Sequence, residues 1–579
     1  RPGEIPDAWL SHRLVGFMIG VGVWSLLTAT RGASGKFELR VQPVRLGFAL
    51  LLGIATVWCT RSALLLKHRA GSRMIAAELG YAIDTAHCHA ILPRELPAGV
   101  AHRIAEDCEF LIGQVTRTLG VKEDAKISAF FFRSPEEKRD LMGAARVYIA
   151  KPWRREVYLQ LGDFPHPVLA HELAHVVARH ASTGMFGVPG KLGGLLPEPT
   201  LVEGMAVALE PVAREELTAH QWAKAAFASD IAPPLSSLLG VSFFGQNQAL
   251  AYTLAGSFLR FVLDTRGAEA LRKTYARGSV EEGLGEPFAK LEAEWKKYLG
   301  AIALPPRAAA LAKQRFERPG VWSQVCPHLV EQLEGELGAA LSAGDFVRAL
   351  EKCNAVLTID PAATSVRTTR VALLAQRGAL LDASQELKQL EGHAPTPVIT
   401  RAKVALADAA FVRGEYTRAE AAYRALLDDP QSEGDSRQLE VKLLAASAGE
   451  PARSLLRDFL VGQPFGGQDA RLGVHLIREL ALVRGDGLAP YLEARQLRGS
   501  QRYDVVLSLL RTAQQRALPS ERLRREALRM QVQAAFITGA LSEAEALASQ
   551  LAQGEEASPA DQLVAKEWLE RVAFRRRAD

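Results

Sequence analysis

Cysteine is nearly absent. Five residues, Cys59, Cys88, Cys108, Cys326 and Cys353, are scattered over 579 positions with no metal-ligand spacing. No cysteine-ligated metal centre is therefore expected. Buried free thiols are the default expectation, with a Cys88–Cys108 pair as the alternative in an oxidising compartment. The chain also lacks a glycine-rich phosphate-binding loop and a Gly-x-Ser-x-Gly elbow. A general basic excess is missing too. The net charge is +5, but residues 1–75 hold ten Lys/Arg against three acids, which leaves the other 504 residues slightly acidic. No basic face for nucleic acid is present, and no nucleic-acid partner is expected.

What the N-terminal segment does have is apolar length. Leu14 to Thr30 carries no charge between Arg13 and Arg31, and a second apolar stretch runs from Leu46 to Leu66, interrupted by Arg61. A spanning helix needs about 20 apolar residues, with about 17 as the lower limit. Two short transmembrane helices, at about 14–30 and 46–66, are therefore expected within a membrane segment 1–74. A signal peptide and a buried core helix are the plainer alternatives. Four basic residues lie between the stretches and five outside them, so the positive-inside rule leaves the orientation open.

Residues 75–302 read as an α+β unit. "HCHAILP" (87–93), "AKISAFFFRS" (125–134) and "REVYLQL" (155–161) have strand patterns; 99–120 and the stretch from Pro135 have helical ones. A Gly/Pro-rich loop occupies 182–199, and the pattern beyond it is helical. Residues 303–325 read as a linker. From 326 to 579 the chain repeats. Gly344, Phe346, Ala349 and Pro361 return 34 residues on as Gly378, Leu380, Ala383 and Pro395, then as Gly414, Tyr416, Ala419 and Pro430. Weaker echoes fall at Gly449 and at Gly539-Leu541-Ala544. This spacing resembles the tetratricopeptide repeat, so an all-α solenoid is expected, offering a surface for a protein partner.

The chemistry lies in His171-Glu172-Leu173-Ala174-His175, at the start of an apolar helix. Residues four apart share a helix face, so His171 and His175 can aim at one metal ion. Glu172 lies about 100° round the helix and can serve as a base toward water without binding the metal. Zinc is the cofactor this pattern calls for, lowering the pKa of water toward ~7. A third ligand must come from downstream, where Glu198, Glu203 and Glu210 are candidates. Glu203 is preferred, because a lone carboxylate in the apolar "LVEGMAVALE" would be costly to bury without a counter-charge. Its plainer reading is a helix-start acid favoured by the dipole. Glu210, two turns on, could orient a ligand histidine from behind, or simply face solvent. His166 and His180 are expected to be bystanders; His87 and His89 alternate on a strand and are the one other place for a metal.

His171-Glu172-Leu173-Ala174-His175 followed by Glu203-Gly204-Met205-Ala206 resembles the gluzincin metallopeptidases, in particular the peptidase MA-like domains of bacteria. The likeness covers about residues 80–300 and implies a zincin-like fold that hydrolyses peptide bonds. It also implies that Tyr252, in "AYTLAGSFLRFVLDTRG", matches the tyrosine that hydrogen-bonds the tetrahedral intermediate in aminopeptidase-N-like enzymes; a packed helix aromatic is the alternative. The edge strand that pairs with substrate in the family would fall around Val157 to Leu161. Two departures stand out. The gap from His175 to Glu203 is long, and no Gly-x-Met-Glu-Asn motif precedes the metal helix, which argues against aminopeptidase specificity. The expectation is thus a zinc metallopeptidase anchored in a membrane, a bacterial inner membrane, whose repeats recruit or orient a protein substrate. A repeat scaffold with an inactive peptidase-like domain is the rival, and a structural zinc domain the third reading.

Overall fold

A computed structural model describes residues 7–29, 43–61, 71–145, 147–191, 194–210, 217–316, 327–392, 394–429, 431–461, 470–554 and 557–578. By internal contacts the chain divides into residues 1–187 and 188–579. Helices α1 (Asp7–Ala29) and α2 (Pro43–Arg61) pack against each other. Gly22 lies against Leu52, where a Cβ would sit 3.7 Å from the leucine Cβ. Large apolar side chains such as Phe17, Trp24, Leu50 and Trp58 are exposed along the pair. Among the described residues no helix is long and apolar enough to cross a membrane. The two expected spans are accordingly not seen as such. The uncharged part of α1 described here, Leu14–Ala29, reaches about 24 Å at the ordinary helical rise, short of about 30 Å of hydrocarbon. Thr30 and residues 62–66 of the expected spans lie outside the described residues.

Helix α3 (Ser72–Leu79) leads into a five-stranded mixed sheet of β1 (Gly80–Asp84), β2 (Cys88–Pro93), β3 (Ile127–Phe132), β4 (Ile149–Lys151) and β5 (Glu156–Gln160). Their spatial order is β1-β2-β3-β5-β4, with β2, β3 and β5 parallel and the two outer strands antiparallel to their neighbours. Helix α4 (Ala98–Leu119) connects β2 to β3, and α5 (Pro135–Met142) follows β3. The "AFFF" run of β3 shows how both faces are filled. Phe130 and Phe132 join Ile75, Leu79, Leu141, Met142 and Tyr158 in one core cluster, whereas the Phe131 ring sits 6.1 Å from that of His166. Helix α6 (Leu169–Ala178) packs on α4, β4 and β5.

Two expectations are corrected here. The strand at 157–161 is not the edge of the sheet: β4 pairs with β5, Ile149 opposite Tyr158 and Lys151 opposite Glu156. A three-residue strand is too short to show an alternation in sequence. A 3₁₀ turn at Pro152–Arg154, with Arg155 at φ 53°, reverses the chain between them. Cys88 and Cys108 are not free thiols either. They form a disulfide between β2 and α4, with Cα atoms 6.1 Å apart and both residues fully buried. The 20-residue separation predicts a loss of about 3 kcal/mol of stability when both are replaced by serine. Denaturant unfolding of the double variant measures this; an unchanged midpoint would show that the bond constrains nothing.

The second part opens with a short ladder, β6 (Gly190–Lys191) and β7 (Leu196–Pro197), followed by helices α7 (Pro199–Leu209), α8 (Ala219–Ala228) and α9 (Gln248–Arg277). Helix α9 bends at Gly267, whose φ is 81°. Two further helices, α10 (Val280–Leu284) and α11 (Phe288–Gly300), precede α12 (Ala308–Phe316). The last falls within the expected linker, and Phe316 sits against Trp222 of α8, ring centroids 5.8 Å apart. Residues 317–325 of that expected linker are not described. From 327 onward the described chain is helical. Gly344, Gly378, Gly414 and Gly539 all have left-handed φ between 70° and 82°, and each is followed two residues later by a new helix. Ala349, Ala383, Ala419 and Ala544, at the same offset in those helices, are completely buried. The glycine turns the chain where other residues would be strained, and the alanine lets paired helices approach. Of the two weaker echoes, Gly539 shares this conformation and Gly449 does not.

Candidate metal centre

Helix α6 is buried almost all round. Leu169, Ala170, Leu173, Ala174 and Val176 to Ala178 are inaccessible, and Glu172 keeps only 6% of its surface. Within the helix only His171 and His175 are partly open. Their rings stand nearly perpendicular, with centroids 4.8 Å apart, as the four-residue spacing requires.

Glu203 lies in the second turn of α7. The glycine that follows it has a packing reason: a Cβ on Gly204 would come within 2.9 Å of the Ala255 carbonyl oxygen of α9. In return, a Cβ on Gly256 would overlap Val207. The two glycines bring α7 and α9 into backbone contact, which fixes the turn bearing Glu203.

One ligand atom each from His171, His175 and Glu203 lies within 4.8 Å of the other two, and this is the single such group among the described residues. Two imidazole nitrogens and one carboxylate oxygen match a three-ligand zinc site with an open fourth position. The donor set therefore suits zinc.

The other candidates have different places. Glu198 is the N-cap of α7, and its Oε1 accepts from the Gly240 N–H at 2.8 Å. Glu210 stands at the C-cap of the same helix, outside the three-residue group. Tyr252 is half-buried in the second turn of α9, its ring 5.6 Å from that of Phe243. His166 is buried and uses both ring nitrogens, one toward the Gln160 carbonyl at 2.9 Å and one accepting from the Val168 N–H. His180 pairs with the buried Glu123 carboxylate at 2.8 Å. His87 and His89 face Glu109 and Asp84 through their Nδ1 atoms and belong to no metal-holding group among the described residues.

Two nearby groups were not legible as functional. Lys138 of α5 is fully buried. Its Nζ donates to the Tyr158 carbonyl at 3.0 Å and to that of Val147. Burial pulls its pKa down to about 8, against the opposing pull of the Glu172 carboxylate. Tyr275, beyond the bend in α9, has a buried hydroxyl with no hydrogen-bond partner. Burial, and then the Glu203 carboxylate, push that phenol up, so it stays protonated. Neither residue belongs to a motif. Lys138 sits in "PEEKRDLM", which reads only as a helix with Pro135 at its first position. No known protein family and no curated protein matches the sequence.

Proposed function

We propose that this chain is a zinc metallopeptidase of the gluzincin kind that hydrolyses peptide bonds in a protein or peptide substrate. The observation that carries the reading is the convergence of His171, His175 and Glu203 on one point, with Glu172 on the same helix as the histidines. A zinc ion held there supplies Lewis acidity toward a carbonyl oxygen and toward water. Glu172 takes a proton from the attacking water and returns it to the departing amide nitrogen. The Tyr252 phenol donates to the oxygen that gains charge at the carbonyl carbon. Glu210 orients a ligand histidine from behind.

The exposed apolar side chains of α1 and α2 support attachment to a membrane. The Cys88–Cys108 bond supports an oxidising compartment for the peptidase domain. Paired helices with left-handed glycine turns support a tetratricopeptide-like array that binds a protein substrate or partner. The test is cleavage of an unfolded protein mixture by the wild type and by Glu172→Gln. Zinc-dependent cleavage confined to the wild type is expected. If both bind zinc and neither cleaves, the inactive-scaffold reading replaces this one.

A further inference from the structure

We propose that Lys138 is a positioning residue, fixing the edge of the sheet along which an extended polypeptide is presented to Glu172. The proposal rests on the peptidase reading above and adds a residue to it.

The ammonium of Lys138 is completely buried, where an aliphatic side chain would fill the same space without desolvating a charge. What the aliphatic chain lacks is donors. Two of the three N–H groups of Lys138 are committed to backbone carbonyls, that of Tyr158 in β5 and that of Val147 two residues before β4. The placement has a mechanical consequence. Strand β4 has three residues, fewer than the usual five or so, and it is the edge of the sheet. Such a strand frays at its ends unless something holds it.

Lys138 provides that hold at the N-terminal end. It ties the Val147 carbonyl to the strand that β4 pairs with, where the regular ladder begins at Ile149 opposite Tyr158. The Gln160 amide adds a second tie by donating to the Ala145 carbonyl. The Tyr148 ring, between Val147 and β4, lies 5.5 Å from the ammonium. The base is close to this arrangement, since the Glu172 carboxylate acts electrostatically on the same buried cation. Helix α5 delivers the side chain reliably. Ser134 caps it by accepting from the Glu137 N–H at 3.2 Å, and Leu141 and Met142 anchor its other end in the core.

The test compares wild type, Lys138→Met and Lys138→Gln in the full chain. Hydrogen exchange at residues 147–151 and zinc content are measured beside kinetics on an unfolded protein substrate. In Lys138→Met, exchange over 147–151 should quicken by about tenfold or more, with zinc retained. KM should rise by about tenfold and kcat stay within about threefold, because binding along the strand edge is lost and the proton transfer is not. Lys138→Gln, which keeps an amide donor without the charge, should lie between; it also stands in if the methionine variant does not fold.

Unchanged exchange and KM in both variants would overturn the proposal. So would a fall in kcat at constant KM, which would place the effect on Glu172 and not on the strand. An inactive wild type whose β4 still depends on Lys138 would overturn the peptidase reading and the substrate role with it.

Discussion

Glu172→Gln should lower turnover by roughly 10²–10⁴-fold, about 3–5 kcal/mol of barrier, with zinc content unchanged. The two side chains have nearly the same shape, and only the carboxylate can accept a proton. Glu172 is not among the three residues that converge on the metal position, so losing its charge should not empty the site. It is nearly inaccessible, in a helix whose only partly open residues are His171 and His175. An isosteric replacement there leaves the packing of Leu173 and Val176 as it is. The measurement is kcat/KM on one unfolded protein substrate, with zinc assayed in the same preparations. Equal turnover in the two proteins would remove Glu172 from the chemistry.

Glu203→Ala should lower zinc affinity by more than the roughly 10–100-fold seen when an outer-shell partner is lost. One of three protein ligands disappears, and two imidazoles four residues apart cannot close the coordination alone. Glu198→Ala is the control. Glu198 is also in the downstream acidic set, but its carboxylate accepts from the Gly240 N–H ahead of α9. Its loss should cost about 1 kcal/mol, the bond to the Gly240 N–H, and no metal. Competition with a chelator of known affinity reads both variants. Equal zinc affinity in the two would sink the assignment of Glu203.

The parts of this site that were legible in the sequence are those carried by one helix. His171, Glu172 and His175 follow from helical spacing, and Glu203 from a carboxylate stranded in an apolar stretch. The repeat glycines were legible for the same reason: Gly344, Gly378 and Gly414 each do a local job at a nearly regular spacing. What was not legible depends on approach between distant segments. The Gly204–Ala255 and Gly256–Val207 contacts set the place of α7, and nothing local announces them. Cys88 and Cys108 meet only because α4 folds back on β2. The edge strand was misplaced because β4 has three residues. Nothing local in the sequence marks Lys138, which α5 buries completely. Residues 308–316 lacked a strong pattern, and their helix is held by Trp222 and Phe316.

The central claim is that His171, His175 and Glu203 hold one zinc ion with a position left open. Metal analysis joined to X-ray absorption on the purified chain tests it most directly. The expected result is one zinc per chain with nitrogen and oxygen neighbours at about 2.0–2.2 Å and no sulfur. Two imidazoles should be resolved in that shell, and the signal should be lost in Glu203→Ala. A chain that binds no stoichiometric zinc, or one whose zinc is closed by four protein ligands, would contradict the account.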